Sequence, residues 1–188
     1  MLAAESIAYE SGVLVPGVHD RIVADIENVA LDALIQPEYI WTKLDPSQYG
    51  SDVVSYVRRF KFHRQEGTHG LVLGKTCENP EDTMAAIAGA LVRNFIRARV
   101  CTLNQVVESS ANGSLQDVSC LLIPNFYTGS IKAGKDAQAA WRVAALHDVL
   151  VARHAAGLQT VVYVSDMNEL TQEYGMAVRR HLITNFAS

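Results

Sequence analysis

The stretch Gly70-Leu71-Val72-Leu73-Gly74-Lys75-Thr76-Cys77-Glu78-Asn79-Pro80-Glu81-Asp82-Thr83-Met84-Ala85-Ala86-Ile87-Ala88 is an apolar run closed by glycine, a polar passage, and the start of a helix rich in small residues. It predicts a short buried strand over 70–74, a loop over 75–82 and a long apolar-periodic helix over 83–97. Downstream the alternation repeats. Residues 100–103 read as a second strand, and 118–123, Val-Ser-Cys-Leu-Leu-Ile, as a third whose nearly continuous apolar run suits burial on both faces. A helix over 136–155, a strand over 160–164 and a last helix over 167–183 with Gly175 inside it complete the series. Strands alternating with helices predict an α/β fold with a mainly parallel sheet in three layers.

Upstream, residues 20–35 place Ile22, Ile26, Val29, Ala30 and Ala33 at helical spacing with Asp25, Asn28 and Asp32 between them, which predicts one amphipathic helix. Pro37 and the Asp45-Pro46 pair mark 36–50 as a connector, and Val53, Val54, Val57 and Phe60 begin a second helix. The chain therefore divides into a helical N-terminal extension over 1–50 and an α/β domain over 51–188.

Composition fits that reading. A chain of 188 residues with 49% hydrophobic and 19% charged residues can bury a proper core and is neither disordered nor of low complexity. The net charge of −4 provides no whole-molecule attraction to nucleic acid, so any such contact must be local. Cys77, Cys101 and Cys120 form no Cys-x-x-Cys pair and no disulfide framework, which suits a reducing compartment. Neither a secretory leader nor a run long enough to span a membrane is evident, and the expected location is cytoplasmic. The six histidines lack metal-ligand spacing; His147 and His154, seven apart, are about two turns from each other on one helix. No metal and no cofactor is expected, and no Ser/His/Asp or Cys/His constellation supports nucleophilic catalysis.

Strand, glycine, loop and helix in this order is the layout of a phosphate-binding P-loop, GxxxxGK[ST], which supplies backbone amides, a lysine and a magnesium-binding hydroxyl. With Gly74 as the first glycine, the second falls on Asn79, the lysine on Pro80 and the hydroxyl residue on Glu81. Proline removes an amide donor, while Glu78, Glu81 and Asp82 would repel a triphosphate. The rival frame, Gly70 to Gly74-Lys75-Thr76, holds a literal Gly-Lys-Thr but is one residue short. The apolar strand that should end in a metal-holding aspartate and a catalytic glutamate ends instead in Pro124-Asn125. Two separate pieces of nucleotide chemistry are thus missing from one framework.

That framework resembles the ATPase domain of replicative-helicase loaders of the DnaC and IstB type, within the RecA/AAA+ class of P-loop proteins. The resemblance covers about residues 45–183 and rests on Gly70-Leu-Val-Leu-Gly74, Thr83-Met-Ala-Ala-Ile-Ala88, Cys120-Leu-Leu-Ile123, the helix with Leu146, Val149, Leu150 and Arg153, and above all Thr160-Val-Val-Tyr-Val-Ser165-Asp166 followed by Leu170, Gly175 and Val178. It implies a bacterial or phage-encoded replication protein whose partner is a hexameric, DnaB-like helicase, with single-stranded DNA and further copies of the chain as other partners. It makes Gly74, Lys75, Thr76, Asn79, Pro80, Glu81, Pro124, Asn125 and Ser165 the positions of a degenerate nucleotide site. Arg179, Arg180 and His181 lie near the position of an arginine that reaches a neighbouring subunit's nucleotide. A segment before the core commonly docks on the helicase, which makes Ile22, Ile26 and Val29 partner candidates; the same stripe would equally serve the chain's own core. The end at Ser188 leaves no expected lid or winged helix.

The cluster Arg58-Arg59-Phe60-Lys61-Phe62-His63-Arg64 interleaves cations with aromatics, a mixture that contacts phosphates while stacking on bases. Phe60 as a core aromatic beside solvated cations is the alternative. The sequence therefore leads to an ATP-independent helicase loader or adaptor that is not an active enzyme. An ATPase with a rearranged site at Gly74-Lys75-Thr76 and Asp117 or Asp166 at the metal, and a structural or inhibitory binding protein, are the other readings.

Overall fold

The computed structural model describes residues 8–110, 118–129 and 137–188, without the side chains of Arg64, Ser110 and residues 137–140. Five strands, β1 (Gly70–Leu73), β2 (Ala98–Val100), β3 (Cys120–Tyr127), β4 (Gln159–Val164) and β5 (Phe186–Ala187), form one sheet in the order β2-β3-β4-β1-β5. Every pairing is parallel, with Leu71 opposite Val161 and Leu122 opposite Val161 on the other side of β4. The inner strands are apolar almost throughout because helices cover both faces, as the unbroken runs predict.

One layer holds α1 (Asp20–Ala24), α2 (Ile26–Ala33), α3 (Glu38–Trp41), α4 (Pro46–Tyr49), α5 (Ser51–Arg58), α6 (Phe60–Glu66) and α7 (Pro80–Arg93). There Tyr49, Val53, Tyr56, Met84, Ile87 and Leu91 pack on Leu71, Leu73, Cys120, Leu122 and Val161. The opposite layer holds α8 (Leu103–Ser110), α9 (Ala137–Ala155) and α10 (Met167–Asn185). Its core joins Val106, Leu146, Leu150, Leu170, Val178 and Leu182 to Leu121, Ile123, Phe126, Val162 and Val164. The first crossover, through α7, travels outward from β1 to the sheet edge at β2, and the later ones return. Right-handed crossovers require those two directions to use opposite faces, as they do. This is a three-layer α/β architecture of the general P-loop and Rossmann-like kind.

Several boundaries differ from the expectation. The single helix over 20–35 is two, because Asp25 leaves helical geometry (φ −126°, ψ 30°), and α2 closes on Leu34 in the left-handed region (φ 55°). The connector over 36–50 contains α3 and α4, the latter capped by Asp45, whose carboxylate accepts the Ser47 N–H at 2.8 Å. The helix expected over 83–97 starts at Pro80 and stops at Arg93. Phe95 (φ 60°) sends its N–H to Val92 O and Ile96 its own to Leu91 O, a Schellman closure with phenylalanine where glycine is usual. That closure moves β2 to 98–100. Helix α8 and strand β5 were not anticipated, and β3 runs past Pro124 to Tyr127 with a register shift between Ile123 and Tyr127, where proline cannot donate to the ladder. Gly175 (φ 81°, ψ 170°) breaks α10. Two other glycines hold close approaches: a Cβ on Gly70 would strike Thr160 O and the Phe186 ring, and one on Gly89 the backbone of Tyr39.

Candidate functional site

In an open parallel sheet, ligands bind outside the carboxyl ends of the strands where neighbouring strands send their chains to opposite faces. Here those neighbours are β1 and β4, which feed α7 on one face and α10 on the other. The residues at that point are the loop after β1 and Ser165-Asp166 after β4, so the fold brings together two segments on which the sequence reading converged.

The loop after β1 is a tight turn. The Cys77 N–H donates to Gly74 O at 2.9 Å, the Asn79 carboxamide accepts the Asp82 N–H at 3.1 Å, and the Thr83 N–H donates to Asn79 O at 3.0 Å. Asn79 is thus the N-cap of α7 and Pro80 its first residue, the combination that suits a helix start. Two of the amides around this loop, those of Cys77 and Asp82, are thus bonded to the chain itself, and Pro80 supplies none. Gly74 has ordinary backbone geometry and nothing within 4 Å of a built Cβ, so no close approach requires a glycine there.

Beside this turn lies a cleft of about 820 Å³ between α4–α5 and the start of α7. Asp52, Glu78 and Asp82 line it together with Ser47, Thr76 and Asn79, and among the described residues no lysine or arginine does. Tyr39 donates to Asp82 at 2.7 Å, and that bond pushes the Tyr39 phenol up to about 12. The positive end of the α7 dipole, which would attract phosphate, is answered by the chain's own Glu81 and Asp82.

Lys75 and Thr76 part company. Thr76 lines the acid cleft, whereas Lys75 is exposed and helps to hold the Asp166 carboxyl below its usual range, after the larger effect of the Glu169 and Asn168 N–H groups that Asp166 caps. Ser165 donates its N–H to Tyr127 O, and its buried hydroxyl makes no hydrogen bond among the described residues. Pro124 and Asn125 lie within β3; Asn125 accepts the Leu103 N–H at 2.8 Å and so caps α8. Asp117 lies outside the described residues. The Tyr127 hydroxyl donates to Glu173 at 3.2 Å and lies 3.5 Å from Glu169, and burial with those carboxylates raises its pKa strongly.

The remaining candidates scatter. Ile22 and Ile26 are buried with Ala8, Leu14, Ala30 and Ile40, and Val29 packs against the same cluster. The N-terminal stripe therefore covers the chain's own core, and the exposed apolar side chains of that region are Val15, Val18, Leu31, Leu34 and Phe95. Arg59 is ion-paired with Glu66. Arg64 belongs to α6, with its side chain outside the description. Arg179 donates weakly to Thr171 at 3.4 Å, Arg180 is exposed, and His181 lies among histidines, its pKa depressed by burial and by His154, His147 and His69. Arg58 and Lys61 do come together, in a groove shared with Lys43 and Arg93. Nothing in the local sequence relates Lys43 and Arg93 to that pair; only the fold does.

Among the described residues no group of three or more His, Cys, Asp or Glu is placed to hold a metal ion, and no described helix is long and apolar enough to cross a membrane. Burial pushes the Cys120 thiol up to about 12, which removes it as a nucleophile at neutral pH. No protein-family model matches the chain, and no curated protein matches it.

Proposed function

We propose that this chain is a replication adaptor of the helicase-loader kind, acting on a hexameric replicative helicase by binding alone and without nucleotide turnover. The carrying observation is the self-closed turn after β1, where Gly74 O and Asn79 take up amides of the would-be cradle beside an acid-lined cleft. A triphosphate entering there would meet Asp52, Glu78 and Asp82 with no described lysine or arginine facing it, and Coulomb repulsion in a partly desolvated cleft opposes its binding. Assignment to the DnaC and IstB type is supported by the segment after β4. Asp166 caps α10, Leu170 and Val178 fill the core, and Gly175 breaks the helix, which gives each member of that pattern a structural role.

An adaptor that opens a helicase ring without ATP can do so only by binding the open form more tightly than the closed one. On this reading the contact lies on the outside of the N-terminal layer, and the exposure of Val15, Val18, Leu31, Leu34 and Phe95 supports them as partner residues in place of the buried Ile22 and Ile26. The test is gel filtration with the replicative helicase of the same cell, with and without ATP. Co-elution in both, weakened by Leu31→Asp with Leu34→Asp, is expected; no co-elution, or a complex formed only with ATP, overturns the reading. The proximity of Lys75 to Asp166 favours a rearranged nucleotide site as the rival, and its signature is Mg·ATP binding abolished by Lys75→Ala.

A further inference from the structure

The groove between α5–α6 and the C-terminal half of α7 differs in charge from the rest of this acidic chain. It encloses about 530 Å³ and is lined by Lys43, Arg58, Lys61 and Arg93, with no carboxylate of the described residues in its wall. None of the four makes an ion pair with a described residue. Asp45, which Lys43 helps to keep ionised, is turned to the backbone and hydroxyl of Ser47.

Helix dipoles account for part of this arrangement and fail on the rest. Arg58 and Arg93 stand in the last turns of α5 and α7, where a cation is favoured. Lys61 stands in the first turn of α6, where a cation is disfavoured, and Lys43 lies in the extended segment after α3. Converging four like charges on one groove costs stability unless an anion compensates them. Arg93 is half-buried, and its guanidinium donates to Ile40 O at 3.2 Å and Thr42 O at 2.8 Å. Carbonyl dipoles orient that cation without neutralising it, so its charge still faces the groove.

Aromatic side chains select among anions. Phe60 packs edge-on against Tyr56, ring centroids 6.1 Å apart, and forms the apolar wall with Val54, Val57 and Leu91. Phe62 lines the same groove and is 56% exposed, an unpacked phenyl ring beside Lys61. A free ring flanked by cations fits a base stacked on the ring with its phosphates on the charges. An acidic peptide would use the cations and leave the ring idle.

We propose that this groove binds single-stranded nucleic acid, with phosphates on Lys43, Arg58, Lys61 and Arg93 and a base stacked on Phe62. The inference stands on the groove alone and holds whether or not the partner is a helicase. It is tested with the purified chain and no other protein, by fluorescence anisotropy of labelled oligo(dT) and oligo(rU) of twenty nucleotides over a salt series. Binding is expected with log K falling against log salt at a slope of about −2.8, four phosphates at roughly 0.7 each. Arg58→Gln with Lys61→Gln should bring the slope to about −1.4. Phe62→Ala should weaken binding roughly five- to hundredfold at unchanged slope, and Phe62→Trp should preserve it. All three side chains are exposed or line the open groove, and unchanged thermal unfolding separates lost binding from lost folding. Preference for oligo(dT) or oligo(rU) assigns the source of the strand. No binding at low salt, binding indifferent to the double variant, or equal affinity for poly-glutamate or for duplex overturns the proposal.

Discussion

Two clefts share the same pair of helices and carry opposite charge. At one end of α5 and α7, Asp52, Glu78 and Asp82 line a cleft to which no described lysine or arginine contributes; at the other, Lys43, Arg58, Lys61 and Arg93 line a groove to which no described carboxylate does. The first lies beside the loop after β1, on the side of Ser188 rather than of Ser165 and Asp166, next to the switch point where a parallel sheet of this topology ordinarily receives a ligand, and the second lies away from it. Helix ends alone would put acids at N-termini and bases at C-termini, which explains Asp82 and Arg93. They do not explain Lys61 at the start of α6 or the closed turn after β1. The difference teaches that the same pair of helices carries acids beside the capped turn after β1 and cations at the far end, so that a phosphate would be repelled by the first cleft and attracted by the second.

The largest test addresses the shared wall. Gly89→Ala should lower stability by about 1–3 kcal/mol, because a Cβ there meets the Tyr39 backbone and pushes α7 away from α3. Denaturant titration reads it, and both clefts should be disturbed together. Asn79→Ala should cost about 1 kcal/mol as a lost helix cap. A change of that size with no effect on any ligand would fix Asn79 as structural, whereas altered nucleotide affinity would reopen the cradle.

A smaller effect is expected at the opposite end of the sheet, where His69 stacks on His154 at 3.8 Å and His154 and His147 approach His181 at 5.5 and 6.2 Å. Burial and these neighbours hold His181 below its usual value of 6.5, so the folded chain takes up that proton less readily than the unfolded one. The contribution is complete above pH 6.5 and is lost as pH falls through the lower, folded value. Denaturation midpoints at pH 8 and pH 5.5 should differ in that direction, and His181→Phe should shrink the difference. Changes confined to either cleft should leave it intact.

Asp82→Asn should bring the Tyr39 phenol from about 12 toward its ordinary 10, because the hydrogen bond to the carboxylate is the first cause of the shift. Ultraviolet titration of tyrosinate would register it. Smallest of all is Gly74→Ala, expected to be neutral within about 0.5 kcal/mol, since no atom lies near the added methyl. A working phosphate loop would not tolerate it so quietly.

The sequence was legible wherever period and apolar runs decide structure. Leu71 to Leu73, Cys120 to Ile123 and Thr160 to Val164 announce inner strands, and their alternation with helices announces a parallel sheet. What escaped was governed by single backbone events that leave no periodic trace. Asp25 divides one helix into two, Phe95 closes α7 in a conformation that usually signals glycine, and Phe186-Ala187 pairs with Gly70-Leu71 as a strand too short for any pattern. Asn125 was readable as a missing carboxylate; its service as a cap for α8, a helix not anticipated, was not. At the candidate site the departure of Asn79, Pro80 and Glu81 from the P-loop pattern was legible from spacing alone. The grouping of Arg58 and Lys61 with Lys43 and Arg93 depends on the packing of α5 and α6 beside α7, which no local stretch encodes.

The central proposal is that the corner after β1 does not receive a nucleotide. Calorimetric titration of the intact chain with Mg·ATP to millimolar concentration tests it most directly. The account predicts no saturable heat, and saturable binding lost on Lys75→Ala would contradict it.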